Sequence, residues 1–411
     1  MIQPSTKRSL AESLPDLLRE WLSRSGVRPL TIFFSHFGCS DSEESDDDFS
    51  ESTVKALELT TKFIIEVPNL HSDRWKNLHL FVGGDILERL CGSTQPMQLF
   101  CLELANSGIR LPSQKFVMKS TPSPKRLMLR DFSLTSIDIG WDNVTYADLR
   151  LLRQSDWLEI LRRAPALEYC LITSWDIITI RFDTHILHSR LRSLDYSSKT
   201  TGFLEAINVP SLEEWTHNAL CSPLPVSIMV SLLERSGCHL KILNLYDLLH
   251  PFTDLRIFLQ AVASLEQLKI EICPMQTEER DDGNMDDILT HIFFSPSDIN
   301  FIPPEETTRE LFLPRLQVLE LYSRVIPKFS PFSWDRIPQL YRQGRRRSLT
   351  LKSVAYPSHM NDEVAHQLVE LADEGVDLRI RDGTAKTGGD FLEHFRKKGC
   401  KLSSTDSSRR D

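Results

Sequence analysis

The chain carries twelve histidines and eight cysteines, the residues best suited to hold a metal or attack a substrate, so their spacing comes first. The cysteines stand at 39, 91, 101, 170, 221, 238, 273 and 400, and no two form a CxxC pair. Closely spaced pairs are how four thiolates converge on one zinc ion, so that site is not expected. Cys101, Cys170 and Cys273 fall on apolar positions, where a reduced thiol behaves as a small hydrophobe. All eight are read as unbridged thiols. His185 and His188 share a helix or turn face, but no acidic or cysteine partner accompanies them at ligand spacing. The chain contains no GxxxxGKS/T, GxGxxG, HExxH or GxSxG and no calcium-binding loop. No catalytic, cofactor-binding or metal-ligating residue is assigned, no cofactor is expected, and an enzyme is the remote reading.

Composition narrows the remaining classes. Of 411 residues, 41% are hydrophobic and 26% charged, so a sizeable core is expected. A net charge of −9 and a pI near 5.8 leave no broad basic surface, so nucleic acid is not an expected partner. The apolar runs, such as TKFIIEV at 61–67, are too short to span a bilayer, and MIQPSTKRSLAESLPDLL lacks the apolar segment of a secretion signal. The expected location is cytoplasmic or nuclear, with no membrane partner.

Side chains that could act by binding must be held by elements, and those elements repeat. The stretch LRRAPALEYCLITSWD (161–176) ends a basic helical turn at Pro165 and continues with Leu167, Cys170 and Ile172 in an LxxLxL rhythm. The middle position of that rhythm recurs at Leu78, Leu102, Leu127, Cys170, Leu194, Trp215, Leu243, Leu268, Leu319, Leu349 and Leu378. Successive steps are 24, 25, 43, 24, 21, 28, 25, 51, 30 and 29 residues, with the two long steps close to double. Helix-like segments precede most copies: LPDLLREWLSRSG, GDILERLCG, SDWLEILRRAP, VSIMVSLLERSG and NDEVAHQLVELADEG. Gly26, Gly92, Gly237 and Gly375 fall where a helix-ending glycine belongs, and Pro165 supplies the stop in the fifth.

Helix–turn–strand units at this period predict an α/β leucine-rich-repeat solenoid, a curved parallel sheet with helices on its convex side. Residues between the leucines then point outward from a concave wall and vary freely. The candidate partner-binding residues on that face are Asn244, Tyr246, Lys269, Glu271, Glu320 and Tyr322.

The array is expected over 14–385, after a short tail at 1–13 and before a segment at 386–411 that frays at its end. Two polar insertions interrupt it. One is the acidic, serine-rich 40–52; the other, 274–310, accounts for the longest step. The arginines of RQGRRRSLTL (342–351) precede a strand, with Ser348 among them as a possible phosphorylation site.

The phrases WLSRSGVRPLTIFF, HSDRWKNLHLFVGGDILERL, LEILRRAPALEYCLI and LPRLQVLEL resemble, in this order, the F-box-like leucine-rich-repeat proteins of mushroom-forming fungi. The resemblance covers roughly 14–385. It implies a substrate receptor of a Skp–cullin–F-box ubiquitin ligase, whose repeats hold an unknown protein substrate and whose F-box docks a Skp-type adaptor. This sequence departs from the pattern ahead of the repeats: Trp21 and Arg28-Pro29-Leu30 already read as a first repeat, so the adaptor is a partner only if an F-box lies upstream. The alternative is a repeat scaffold that works without the adaptor.

Overall fold

Apolar residues at every second position, with a helix before many of the runs, produce a repeating unit that buries its leucines only by stacking on a neighbour. A computed structural model describes residues 8–35, 64–82, 84–93, 99–106, 115–175, 182, 184–248, 253–272, 312–323, 334–342, 348–355, 360–382 and 389–397. The chain divides into two units, residues 1–175 and 176–411.

The first unit contains β1 (Leu30–Ser35), β2 (Trp75–Val82), β3 (Cys101–Asn106), β4 (Arg126–Arg130), β5 (Tyr146–Arg150) and β6 (Tyr169–Thr173), all parallel and in chain order. The second runs β7 (Ile186–Leu187), β8 (Ser193–Ser197), β9 (Ile207–Asn208), β10 (Glu214–Asn218), β11 (Ile242–Leu248), β12 (Gln267–Ile272), β13 (Val318–Ser323), β14 (Thr350–Ala355) and β15 (Leu378–Asp382). Here β7 and β9 pair with each other, and the other seven form a parallel sheet in chain order. Each unit is therefore a parallel α/β solenoid. Strands that are neighbours in both sequence and space need each connection to return over the same face.

The inner face is built from two register rows. In the first unit Leu78, Leu102, Leu127, Ala147 and Cys170 form one row, and Leu80, Leu104, Leu129, Leu149 and Ile172 the other, all buried. In the second unit Leu194, Trp215, Leu243, Leu268, Leu319, Leu351 and Leu378 continue the pattern. Burying each such leucine contributes about 2 kcal/mol before entropy is counted. Helix ends follow the same economy: Gly26, Gly237 and Gly375 have positive φ, as their helix-ending role requires, whereas Gly92, also at positive φ, lies in the turn beyond a helix that already ends at Leu87.

Four expectations change. The 43-residue step hides β5, whose Ala147 sits 20 residues after Leu127 and pairs with it. Alanine in the leucine position and a charged YADLR run concealed the repeat. Leu349 is buried but lies outside β14; the residue in register with Leu319 is Leu351, two positions later. The first helix, Arg8–Arg24, starts ahead of the 14–26 segment and runs through Pro15. Finally, Cys221 is disulfide-bonded, contrary to the reduced-thiol expectation, while Cys91, Cys101, Cys170 and Cys238 are free. The segments 40–52 and 274–310, Arg345 to Arg347 and the chain beyond 397 also lie outside the described residues, whereas Ser348 is exposed.

Two arginines tie successive repeats together. Arg74, next to β2, donates to the carbonyls of Leu22 and Arg28 and to Ser25 Oγ at 3.3, 3.0 and 2.6 Å, bracing the end of the first helix and the turn after it. Arg235, in the helix Val226–Ser236, reaches the carbonyls of Leu204 and Glu205 at 3.0 and 3.3 Å, closing the helix Gly202–Glu205 in the same way.

Candidate partner-binding surface

Alternation along each strand sends one set of side chains to the core and the other to the open face of the sheet. In the second unit the outward register row includes Thr216, Asn244, Lys269, Glu320, Lys352 and Arg379. Tyr246, Glu271 and Tyr322 lie two residues further along their strands, and Glu271 pairs with Tyr322. The six candidates from sequence thus share one face, each half-buried by its neighbours. A bulge in β11 sets Tyr246 and Asp247 opposite the single Glu271, with Asp247 at φ +53°. Such bulges re-aim side chains at strand ends.

That patch satisfies itself. The Lys269 ammonium lies 4.9 Å from the Tyr246 ring centre and 5.1 Å from that of Tyr322. Burial works against its charge, but the hydrogen bond to Tyr246 and the Glu320 carboxylate outweigh it, and its pKa rises. The Tyr322 hydroxyl is pushed up as well, by burial and then by Glu320. Lys352 Nζ donates to Glu320 Oε1 at 2.6 Å, and Asn244 Nδ2 to Thr216 Oγ1 at 3.0 Å. The two tyrosines offer anchoring area, but their inner faces are already taken by a cation.

The first unit presents a different face, which holds none of the six candidates. Phe33 is 50% exposed and packs on Phe81 with ring centres 5.4 Å apart. Tyr146 and Tyr169 stack at 4.6 Å and 3°, and the Arg126 guanidinium lies 4.4 Å from the Tyr146 ring centre. His79 Nδ1 is 2.6 Å from Glu103 Oε2. Asp148, buried at its own position, accepts two bonds from Arg150 at 2.9 and 2.8 Å. Aromatic, methionine and arginine side chains are the types enriched at protein interfaces.

Three other titratable side chains, Cys101, His188 and His217, are buried. Cys101 shares the outer face with His79, but burial raises its thiol pKa, the opposite of an activated nucleophile. His188 accepts from the Leu191 amide at 3.1 Å within a buried turn. His217 faces inward between Tyr196 and Leu245, and its Nδ1 has no hydrogen-bond partner. Among the described residues no group of three or more His, Cys, Asp or Glu could hold a metal ion, and no helix is long and apolar enough to cross a membrane.

No family model matches the chain, and no curated protein matches it either.

Proposed function

We propose that the chain is a non-catalytic protein-interaction module, the substrate-holding arm of a Skp–cullin–F-box-type ubiquitin ligase. The observation that carries the interaction reading is the division of labour along most strands. Inner positions are mainly leucine-like, with exceptions at Tyr196, His217 and Ser353, while outer positions change type from repeat to repeat without disturbing the core. Strand backbones already fixed in a sheet lose little further entropy on binding, so their side chains make an efficient recognition surface. The ligase assignment rests on the sequence resemblance.

A scaffold that needs no adaptor is the second reading, and one observation favours it. The helix Arg8–Arg24 buries Leu14 and Leu22 and is capped by Arg74, so these residues serve the first repeat instead of an adaptor-docking module. Immunopurification of the natural gene product from its own cells, with the proteasome inhibited, separates the two. Co-recovery of a Skp-type adaptor and a cullin supports the receptor. Recovery of other proteins without them selects the scaffold, and recovery of no protein partner at all overturns both.

A further inference from the structure

Among the described residues, the outward face of the first unit leaves two arginines without an ion-pair partner. Two carboxylates flank Met128 in register and each has a partner of its own: Asp148 is held by Arg150, and Glu103 Oε2 lies 2.6 Å from His79 Nδ1. Arg126 and Arg130 sit at the two ends of β4, both exposed, and neither makes an ion pair with a described residue. They project from the same face as the half-buried Met128 between them. In an extended strand, residues two apart on one face are separated by about 6.6 Å, so the two guanidinia emerge about 13 Å apart with an apolar side chain midway.

We propose that this face binds an extended acidic segment of a partner protein, with two carboxylates four residues apart on Arg126 and Arg130 and an apolar side chain between them on Met128. The inference rests on the interaction-module reading and adds the chemistry of the partner. An extended peptide has the same period as β4, so its residues i, i+2 and i+4 match Arg126, Met128 and Arg130 without adjustment. Arginine's planar fork suits a carboxylate, which it can grip through two parallel hydrogen bonds. Arg126 is also held in place, lying over Tyr146, which in turn stacks on Tyr169. Less side-chain freedom is then lost when the ligand arrives. β4 is paired on both sides, so the contact runs through side chains and not through strand addition.

The same geometry disfavours single-stranded nucleic acid. Base stacking needs open aromatic faces, whereas Tyr146, the aromatic ring beside Arg126, lies between that guanidinium and the Tyr169 ring.

The test is fluorescence anisotropy on the full chain with a labelled nonapeptide centred on Asp-Ser-Leu-Ser-Asp. The expected result is saturable binding that weakens about tenfold or more in the R126E/R130E variant. It should also weaken as NaCl rises from about 50 to about 300 mM. A peptide with its aspartates three residues apart, on opposite faces when extended, should bind several-fold more weakly. Both arginines are exposed, so the variant should keep the circular dichroism and melting curve of the parent. Failure of the Asp peptide to bind, equal binding of a Lys-for-Asp peptide, undiminished binding to the variant, or tighter binding of a single-stranded oligonucleotide would each overturn the proposal. Protein partners recovered equally by parent and variant would sink this site yet leave the interaction module standing. Recovery of none by the folded parent would remove the module itself.

Discussion

At the scale of single residues, His217 is the position where sequence and environment disagree most. Its neighbours in the inner row are Tyr196, whose hydroxyl donates to the Thr200 carbonyl at 2.5 Å, and Leu245. The imidazole is 1% exposed, and burial lowers its pKa from 6.5 to about 4. In the unfolded chain it titrates near the ordinary value, so between about pH 6.5 and 4 the unfolded state binds the extra proton. Stability should therefore fall as pH drops through that window and level off below it, by up to about 3 kcal/mol. Denaturant melts of parent and His217→Leu at pH 7 and pH 4.5 test this: the variant should gain on the parent at the lower pH, and parallel losses would reject the assignment. Glycines give a second residue-scale prediction. Gly92 and Gly237 share a left-handed backbone, φ +63° and +58°, but a Cβ on Gly92 would meet Met118 Cε at 2.8 Å, while one on Gly237 meets nothing within 4 Å. Gly237→Ala should cost about 1 kcal/mol from backbone strain alone, and Gly92→Ala measurably more. Equal melting temperatures for the two variants would show that the crowding at Gly92 relaxes freely.

At the scale of elements, the repeat period decided what could be read from sequence. Helices ended where Gly26, Gly237 and Gly375 stood because only glycine takes the left-handed turn cheaply, and that signal is local; at Gly92 the same conformation serves a loop, since the helix before it closes at Leu87. Strands with leucine at the middle position were legible for the same reason. β5 was not, because Ala147 buries as completely as leucine but carries no hydrophobic signal of its own. At β14 the run SLTLKS offers leucines at both 349 and 351, and only pairing to Leu319 selects the second. Of the candidate surface, the outward orientation of the six residues at β11, β12 and β13 was legible from alternation. The clamp of Lys269 between two tyrosines was not, since it joins three strands. The row Arg126–Tyr146–Tyr169 of the first unit needed β5 to exist. Two substitutions probe the elements. Leu243→Ala, at a fully buried middle position, should cost about 2–5 kcal/mol in a chemical melt. A cost below about 0.5 kcal/mol would mean the strand register is wrong. Arg235→Ala removes the donors that close the preceding helix and should cost about 1–2 kcal/mol, mostly because two carbonyls lose a charged partner.

For the whole molecule, the question is which face meets a partner and whether an adaptor joins it. The second unit's patch spends its charges on itself, Lys269 on two tyrosines and Glu320 on Lys352. Removing both rings, Tyr246→Ala with Tyr322→Ala, would expose that lysine and erase the anchors together. If this patch is the docking site, partner recovery in a pulldown should fall sharply; unchanged recovery would leave the first unit's face as the site. Adaptor binding is decided at the other end of the chain. Leu14 and Leu22 of the helix Arg8–Arg24 are buried, whereas Leu17 and Trp21, on the same helix, are 55% and 69% exposed. Exposed apolar side chains four residues apart form a contiguous stripe, but a two-residue stripe is small beside the surface that a stable complex buries. The isolated chain should therefore bind a Skp-type adaptor weakly or not at all in a calorimetric titration. Micromolar or tighter binding would contradict that expectation, and its loss in a Leu17→Asp, Trp21→Asp variant that keeps the parent's melting curve would locate the grip on this helix.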